Sequence, residues 1–203
     1  MDLPSRRELR QRLRDARAAL TPAQRIAAAS ALVAQLEQIP EFMVDARIAG
    51  YWAVGGELPL LAIFGGLLAR AQRYHLPIVM TEGDLRFALW KPGGAVHPNR
   101  HGIPEPDHAT ADLVAGDALD VVLVPLLGFD RRGYRIGSGA GYYDRTFAFL
   151  QSAKARPAQP VLVGIGYSAQ EVASVDPQPW DVRMDFIATE RELIDCTVEA
   201  DAG

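Results

Sequence analysis

Cysteine is almost missing from this chain, and its scarcity is informative. Cys196 stands alone, so no intramolecular disulfide can form and a reducing cytoplasm is the expected setting. Lysine is scarce too: of the 21 basic residues only Lys91 and Lys154 are lysines, the rest being arginine. Side-chain contacts to an anion are therefore expected from arginine, whose planar fork matches phosphate and carboxylate. No apolar run approaches the ~18 residues of a membrane span, so no membrane partner is expected. The basic N-terminus, MDLPSRRELRQRLRDAR, has no apolar segment behind it and does not read as a secretory signal. Its acidic residues Asp2, Glu8 and Asp15 argue against an organelle transit peptide. A net charge of −4 disfavours broad nucleic-acid binding.

What is present fits a globular chain. A length of 203 residues suits one domain, 1–203, with a sizeable core. Leu9, Leu13, Ala16 and Leu20 recur at helical spacing and predict a helix over 5–20. Thr21, Pro22 and Gln24 form a capping box that starts a second helix, running to about Gln38. Residues 47–53 read as a short apolar strand broken by Gly55-Gly56. A helix is expected from Pro59 to about Tyr74, then a buried strand at 76–80. Residues 84–90 alternate and read as an antiparallel or edge strand. The segment 91–118, rich in Gly, Pro, His and Asp, reads as surface loop. DVVLVP (120–125) reads as a buried strand and 128–137 as a turn between two extended pieces. A helix is expected from Gly141 to about Lys154, with final strands at 160–167 and 185–189. Strands alternating with helices predict an α/β, three-layer fold, its mainly parallel central sheet covered by helices on both faces.

The stretch RIGSGAGYYDR, 135–145, carries the densest chemistry. It lies between an extended piece and a helix, where backbone N–H groups and the helix dipole favour an anion. Gly137, Gly139 and Gly141 permit positive φ and close approach of backbone to ligand. The Walker pattern fails because Tyr142 follows Gly141. The dinucleotide fingerprint fails because the spacing is Gly-x-Gly-x-Gly. The composition thus specifies an anion loop and leaves the anion open. Asp144 serves equally as a carboxylate favouring the helix dipole or as a hard ligand for Mg²⁺ beside phosphate. No serine or cysteine stands out as a nucleophile.

The longer stretch VPLLGFDRRGYRIGSGAGYYDRTFAFL, 124–150, closely resembles the signature of the 5-formyltetrahydrofolate cyclo-ligase, or methenyltetrahydrofolate synthetase, family. Other landmarks fall in the same order: RRELR (6–10), ALTPAQR (19–25), YWAVGGEL (51–58), IPEP (103–106) and PWDVRMDFIATE (179–190). The resemblance implies a ligase that converts 5-formyltetrahydrofolate to 5,10-methenyltetrahydrofolate. ATP would be its co-substrate and Mg²⁺ its cofactor, with ADP and phosphate released through an iminium phosphate and no covalent nucleophile. It implies an ATP cradle of Arg6, Arg10, Arg135, Ile136, Gly137, Ser138, Gly139, Ala140, Gly141, Tyr142 and Tyr143. Arg10, Trp52, Glu57, Gly139, Gly141 and Tyr142 would meet folate, and Asp144 and Asp181 would hold Mg²⁺. A monomer is expected.

The chain departs from the family pattern in places. Arg6 replaces a lysine, Ser138 a larger residue and Ala140 a lysine or glycine, while Pro59 and Leu60 replace an acid and a threonine. A positive φ at Ala140 would cost roughly 1 kcal/mol or more. HPNRHGIPEPDH (97–108) gathers three histidines and two acids but matches no standard zinc spacing, so a solvated loop is expected. A non-catalytic ligand-binding relative, or another enzyme on a related scaffold such as a sugar-phosphate isomerase or CoA transferase, are the competing readings.

Overall fold

The computed structural model describes residues 5–109, 112–151 and 160–198. It opens with two capped helices. Ser5 and Glu8 close a reciprocal capping box on α1 (Arg6–Ala18), and Thr21 and Gln24 do the same for α2 (Pro22–Leu36), with Pro22 inside the first turn. A short α3 (Pro40–Val44) follows, unforeseen in the sequence because five residues carry too little periodicity.

The core is a seven-stranded sheet. Its centre is built from β1 (Arg47–Ala49), β6 (Val121–Pro125), β9 (Val161–Ile165) and β10 (Phe186–Ala188), all parallel to one another. On one side β1 also pairs in parallel with β2 (Arg73–Val79), which carries antiparallel β3 (Leu85–Trp90) at the edge. The other edge is β11 (Leu193–Asp195), antiparallel to β10 and missed in the sequence. The mainly parallel sheet of the expected α/β fold is therefore present.

Strand β6 shows how the layers form. Val121 and Leu123 point to the side covered by α2 and α3, where they meet Leu32, Leu36 and Phe42. Val122 and Val124 point to the opposite side, toward Phe147, Val182 and Met184. Alternate side chains leave opposite faces of a strand, so a continuous apolar run serves two cores at once.

Three expectations are corrected. The helix predicted over Pro59–Tyr74 shrinks to a 3₁₀ turn, Leu61–Ile63, and α4 (Phe64–Ala69); Tyr74 belongs to β2 instead. Gly65 and Gly66 weaken that helix, and Ala71, at φ +55, ends it. The helix predicted from Gly141 becomes α5 (Tyr142–Thr146) and a 3₁₀ turn, Ala148–Gln151; its expected end at Lys154 lies outside the described residues. The surface loop predicted over 91–118 holds a hairpin of β4 (Val96–Pro98) and β5 (Pro104–Pro106), and Val114 bridges to Phe87.

Candidate active site

A cleft of about 580 Å³ opens beyond the carboxyl ends of β1 and β6, the usual ligand position in an open α/β sheet. Segment 51–57, following β1, forms one wall and Pro125–Leu127 part of the floor. The small hairpin of β7 (Gly128–Phe129) and β8 (Arg135–Ile136) launches the glycine loop along another side. Helix α1 lies across the cleft, anchored by buried Leu13 against Leu127, Ile136 and Val175. Gly128 permits that contact, because a Cβ there would stand 2.5 Å from Leu13 Cδ1. Docked this way, α1 presents Arg6, Arg10, Arg14 and Arg17 to the cleft.

At one end the charged groups are closely paired. Arg6 Nη2 donates to Asp181 Oδ2 at 2.5 Å. Arg135 is buried; its Nη1 donates to the Val182 carbonyl and its Nη2 to Asp144 Oδ1, each at 2.6 Å. The Val182 N–H donates to the same Asp144 oxygen, tying the two acidic segments together. Arg10 Nε donates to the Gly137 carbonyl at 3.0 Å and fixes the loop against α1.

Within the loop, Gly139 at φ +114 and Gly141 at φ +68 need the freedom of glycine. Ala140 does not: Ala71 is the only non-glycine residue with positive φ among the described residues. The expected strain at Ala140 is therefore absent. With α5 only five residues long, its dipole is weak, and the groups suited to an anion are the loop N–H groups and the arginines.

At the other end Glu57 is largely buried. Its Oε2 accepts from the Val54 N–H at 3.1 Å and its Oε1 lies 3.9 Å from Arg17 Nη1. Burial pushes the Glu57 carboxyl above its ordinary 4.5, against the Val54 hydrogen bond and the Arg17 charge, which pull it down. Burial likewise raises the Tyr143 phenol, which stays protonated beside the cleft. Trp52 packs edge-on to Trp90 at 5.7 Å and divides the cleft from a smaller apolar pocket of about 150 Å³.

The structure thus gathers Arg6, Arg10, Trp52, Glu57, Arg135, Gly137 through Asp144, and Asp181 around one cavity. Ile136 is the exception, buried beneath the loop with Leu13 and Leu127. Sequence reasoning missed the wall supplied by the β4–β5 hairpin: Asn99, His101, Gly102, Ile103 and Glu105 face the cleft. Tyr142 Oη meets His101 Nε2 at 2.9 Å, and Glu105 Oε1 accepts from Val79 N–H and Asn99 Nδ2. The IPEP segment carried that signal. Arg14 and Arg17 were missed as well, although their spacing from Arg10 puts them on the same side of α1.

Residues 2–190 match the family model described as the 5-formyltetrahydrofolate cyclo-ligase family. The chain belongs to that family. Similar proteins include the 5-formyltetrahydrofolate cyclo-ligase of Haemophilus influenzae, 29% identical over 90% of this chain and 96% of that one. The Escherichia coli K12 5-formyltetrahydrofolate cyclo-ligase is also 29% identical, over 87% of this chain and 96% of its own. In three dimensions the chain is similar to the NMR structure of Aquifex aeolicus 5,10-methenyltetrahydrofolate synthetase. The TM-score is 0.79 at 26% identity, covering 95% of this chain and 93% of that one. Membership of the cyclo-ligase family sets the charges of the cleft in a chemical context.

Proposed function

We propose that this chain converts 5-formyltetrahydrofolate to 5,10-methenyltetrahydrofolate, using ATP and releasing ADP and phosphate. Support comes from the cyclo-ligase family match over 2–190 and from one cavity that joins the glycine loop to Glu57. A formamide oxygen leaves poorly, and phosphorylation converts it into a good leaving group. The formyl oxygen attacks the γ-phosphorus as the bond to ADP breaks. N10 then attacks the resulting iminium phosphate carbon and loses its proton. Phosphate departs with the former formyl oxygen. Alignment of the two substrates supplies most of the catalysis; well-oriented intramolecular reactions gain roughly 7–11 kcal/mol this way.

Each residue has a physical task in this reading. Loop N–H groups over 137–143 hold the triphosphate, with Arg6 and Arg10 adding charge and Arg135 and Ile136 supporting the loop from beneath. Gly139, Gly141 and Tyr142 face the formyl group, with Arg10 nearby. Trp52 offers a flat wall to the folate, and Glu57 accepts hydrogen bonds from the pterin amidine edge.

The donor set suits Mg²⁺, which binds one or two carboxylates together with substrate phosphates. Protein partners occupy Oδ1 of Asp144 and Oδ2 of Asp181, leaving the other oxygen of each for a cation. No group of three or more His, Cys, Asp or Glu able to enclose a metal occurs among the described residues. The ion would neutralise charge on the transferring phosphoryl group.

The deciding assay mixes folded protein, 5-formyltetrahydrofolate and Mg-ATP, and follows the absorbance of the methenyl product. A rise that requires ATP and Mg²⁺ is expected. No rise with folded protein would overturn the proposal.

A further inference from the structure

Arg17 is a nearly buried arginine that hydrogen-bonds to nothing through its side chain. That side chain is 11% exposed, its Nε is buried without a partner, and its Nη1 stands 3.9 Å from Glu57 Oε1, beyond hydrogen-bond reach. No other described residue accepts from the guanidinium, whereas the Arg17 carbonyl is in use, accepting from Arg25. Gly55, at φ +55, packs its backbone against Arg17, with an added Cβ placed 3.4 Å from Nη2. A guanidinium carries five donors; here Nε alone is fully buried, and leaving it unpaired is costly. Glu57 beside it has capacity to spare, since Val54 N–H is the only described hydrogen-bond partner of its carboxylate. Both side chains line the cleft. The protein therefore presents a donor and an acceptor side by side, in charge contact but without a hydrogen bond between them.

That array complements a planar lactam edge, in which a carbonyl oxygen adjoins an N–H. Resting on the folate reading of this cleft, we infer that Arg17 is a specificity-determining residue that donates to the 4-oxo oxygen of the pterin. Glu57 accepts from N3–H and the 2-amino group of the same edge. A 4-amino pteridine would turn a donor toward the guanidinium and offer no N3–H to the carboxylate. A site built to pair with a polar group rejects analogues that leave it unpaired.

Calorimetry on the full chain tests this with three ligands: 5-formyltetrahydrofolate, its 4-amino-4-deoxy analogue and ATP. The unaltered protein should favour the 4-oxo compound by about tenfold or more, the range for a charge-assisted hydrogen bond. Arg17→Met should weaken 4-oxo binding by about that factor while 4-amino binding holds, so the preference collapses. Arg17→Lys should restore part of it, and ATP affinity, unchanged throughout, reports an intact fold. An Arg17→Met protein that keeps the original preference, or loses both pterins equally, overturns the inference. Failure of the unaltered protein to bind either pterin while binding ATP would instead remove the folate reading beneath it.

Discussion

The two ends of the cleft use arginine in opposite ways. At the glycine-loop end the carboxylates already have partners, Arg6 with Asp181 and Arg135 with Asp144, at 2.5 and 2.6 Å. At the Glu57 end Arg17 stands off by 3.9 Å and forms no side-chain hydrogen bond. The first arrangement fixes a backbone loop before any ligand arrives, and pre-set geometry is what phosphoryl transfer needs. The second leaves hydrogen-bonding capacity unused on Arg17 and Glu57, which suits recognition of a polar ring edge. Rigidity is thus supplied by the protein at one end and is left for the ligand to complete at the other.

Substitutions can break that contrast. The largest effect is expected from Asp144→Asn. Loss of charge stabilisation should lower turnover on the order of 10²–10³-fold, and the response to Mg²⁺ should fall with it. The variant should also melt earlier, because buried Arg135 loses its counter-charge; breaking such a pair costs roughly 3–5 kcal/mol. Steady-state kinetics with Mg²⁺ titration and a thermal melt check both parts, and unchanged turnover would remove the metal assignment.

Glu57→Gln comes next. A charge-assisted hydrogen bond is worth roughly 1.5–3 kcal/mol, so KM for the folate should rise about 10- to 100-fold with KM for ATP little altered. The reverse pattern would contradict the assignment of the two ends. Stability should hold, since removing a buried, poorly paired carboxylate relieves its desolvation.

A pH titration sharpens the same point. Burial raises the folded pKa of Glu57 above 4.5, so the folded chain holds this proton more tightly than the unfolded one. Its contribution to stability is full below the unfolded value and is lost as pH rises through the folded value. Folate binding needs the ionised acceptor and should move the other way, weakening as pH falls through that raised value. Glu57→Gln should abolish this component of both trends, measured by melting and by calorimetry across mildly acidic pH.

The smallest effect is expected from Tyr142→Phe, which removes the bond to His101 between loop and hairpin. A single exposed hydrogen bond contributes about 1 kcal/mol at most. Kinetic constants should shift only a few-fold, and a larger loss would show that the hairpin positions the reacting groups.

Legibility in the sequence tracked the strength of local signals. The helical spacing of Leu9, Leu13, Ala16 and Leu20, the capping box of Thr21 and Gln24 and the apolar run 120–125 announced α1, α2 and β6. Short elements such as α3 and β11 were silent, because three to five residues hold no period. The cleft residues on the glycine loop stood out by composition. Arg17 did not, because its lack of a side-chain hydrogen bond is a property of packing, which no spacing rule encodes. Ala140 shows the converse: an expected strain vanished because only the neighbouring glycines take positive φ.

The contact between Arg6 and Asp181 spans 175 residues of chain. One consequence concerns timing during synthesis. Ribosomes add about 5–20 residues per second, so α1 emerges long before the segment that must receive it. Its row of arginines stays unclosed for roughly ten seconds or more at those rates. A nascent chain stopped before Asp181 lacks β10 and β11 as well as the partner of Arg6, and should have no working cleft.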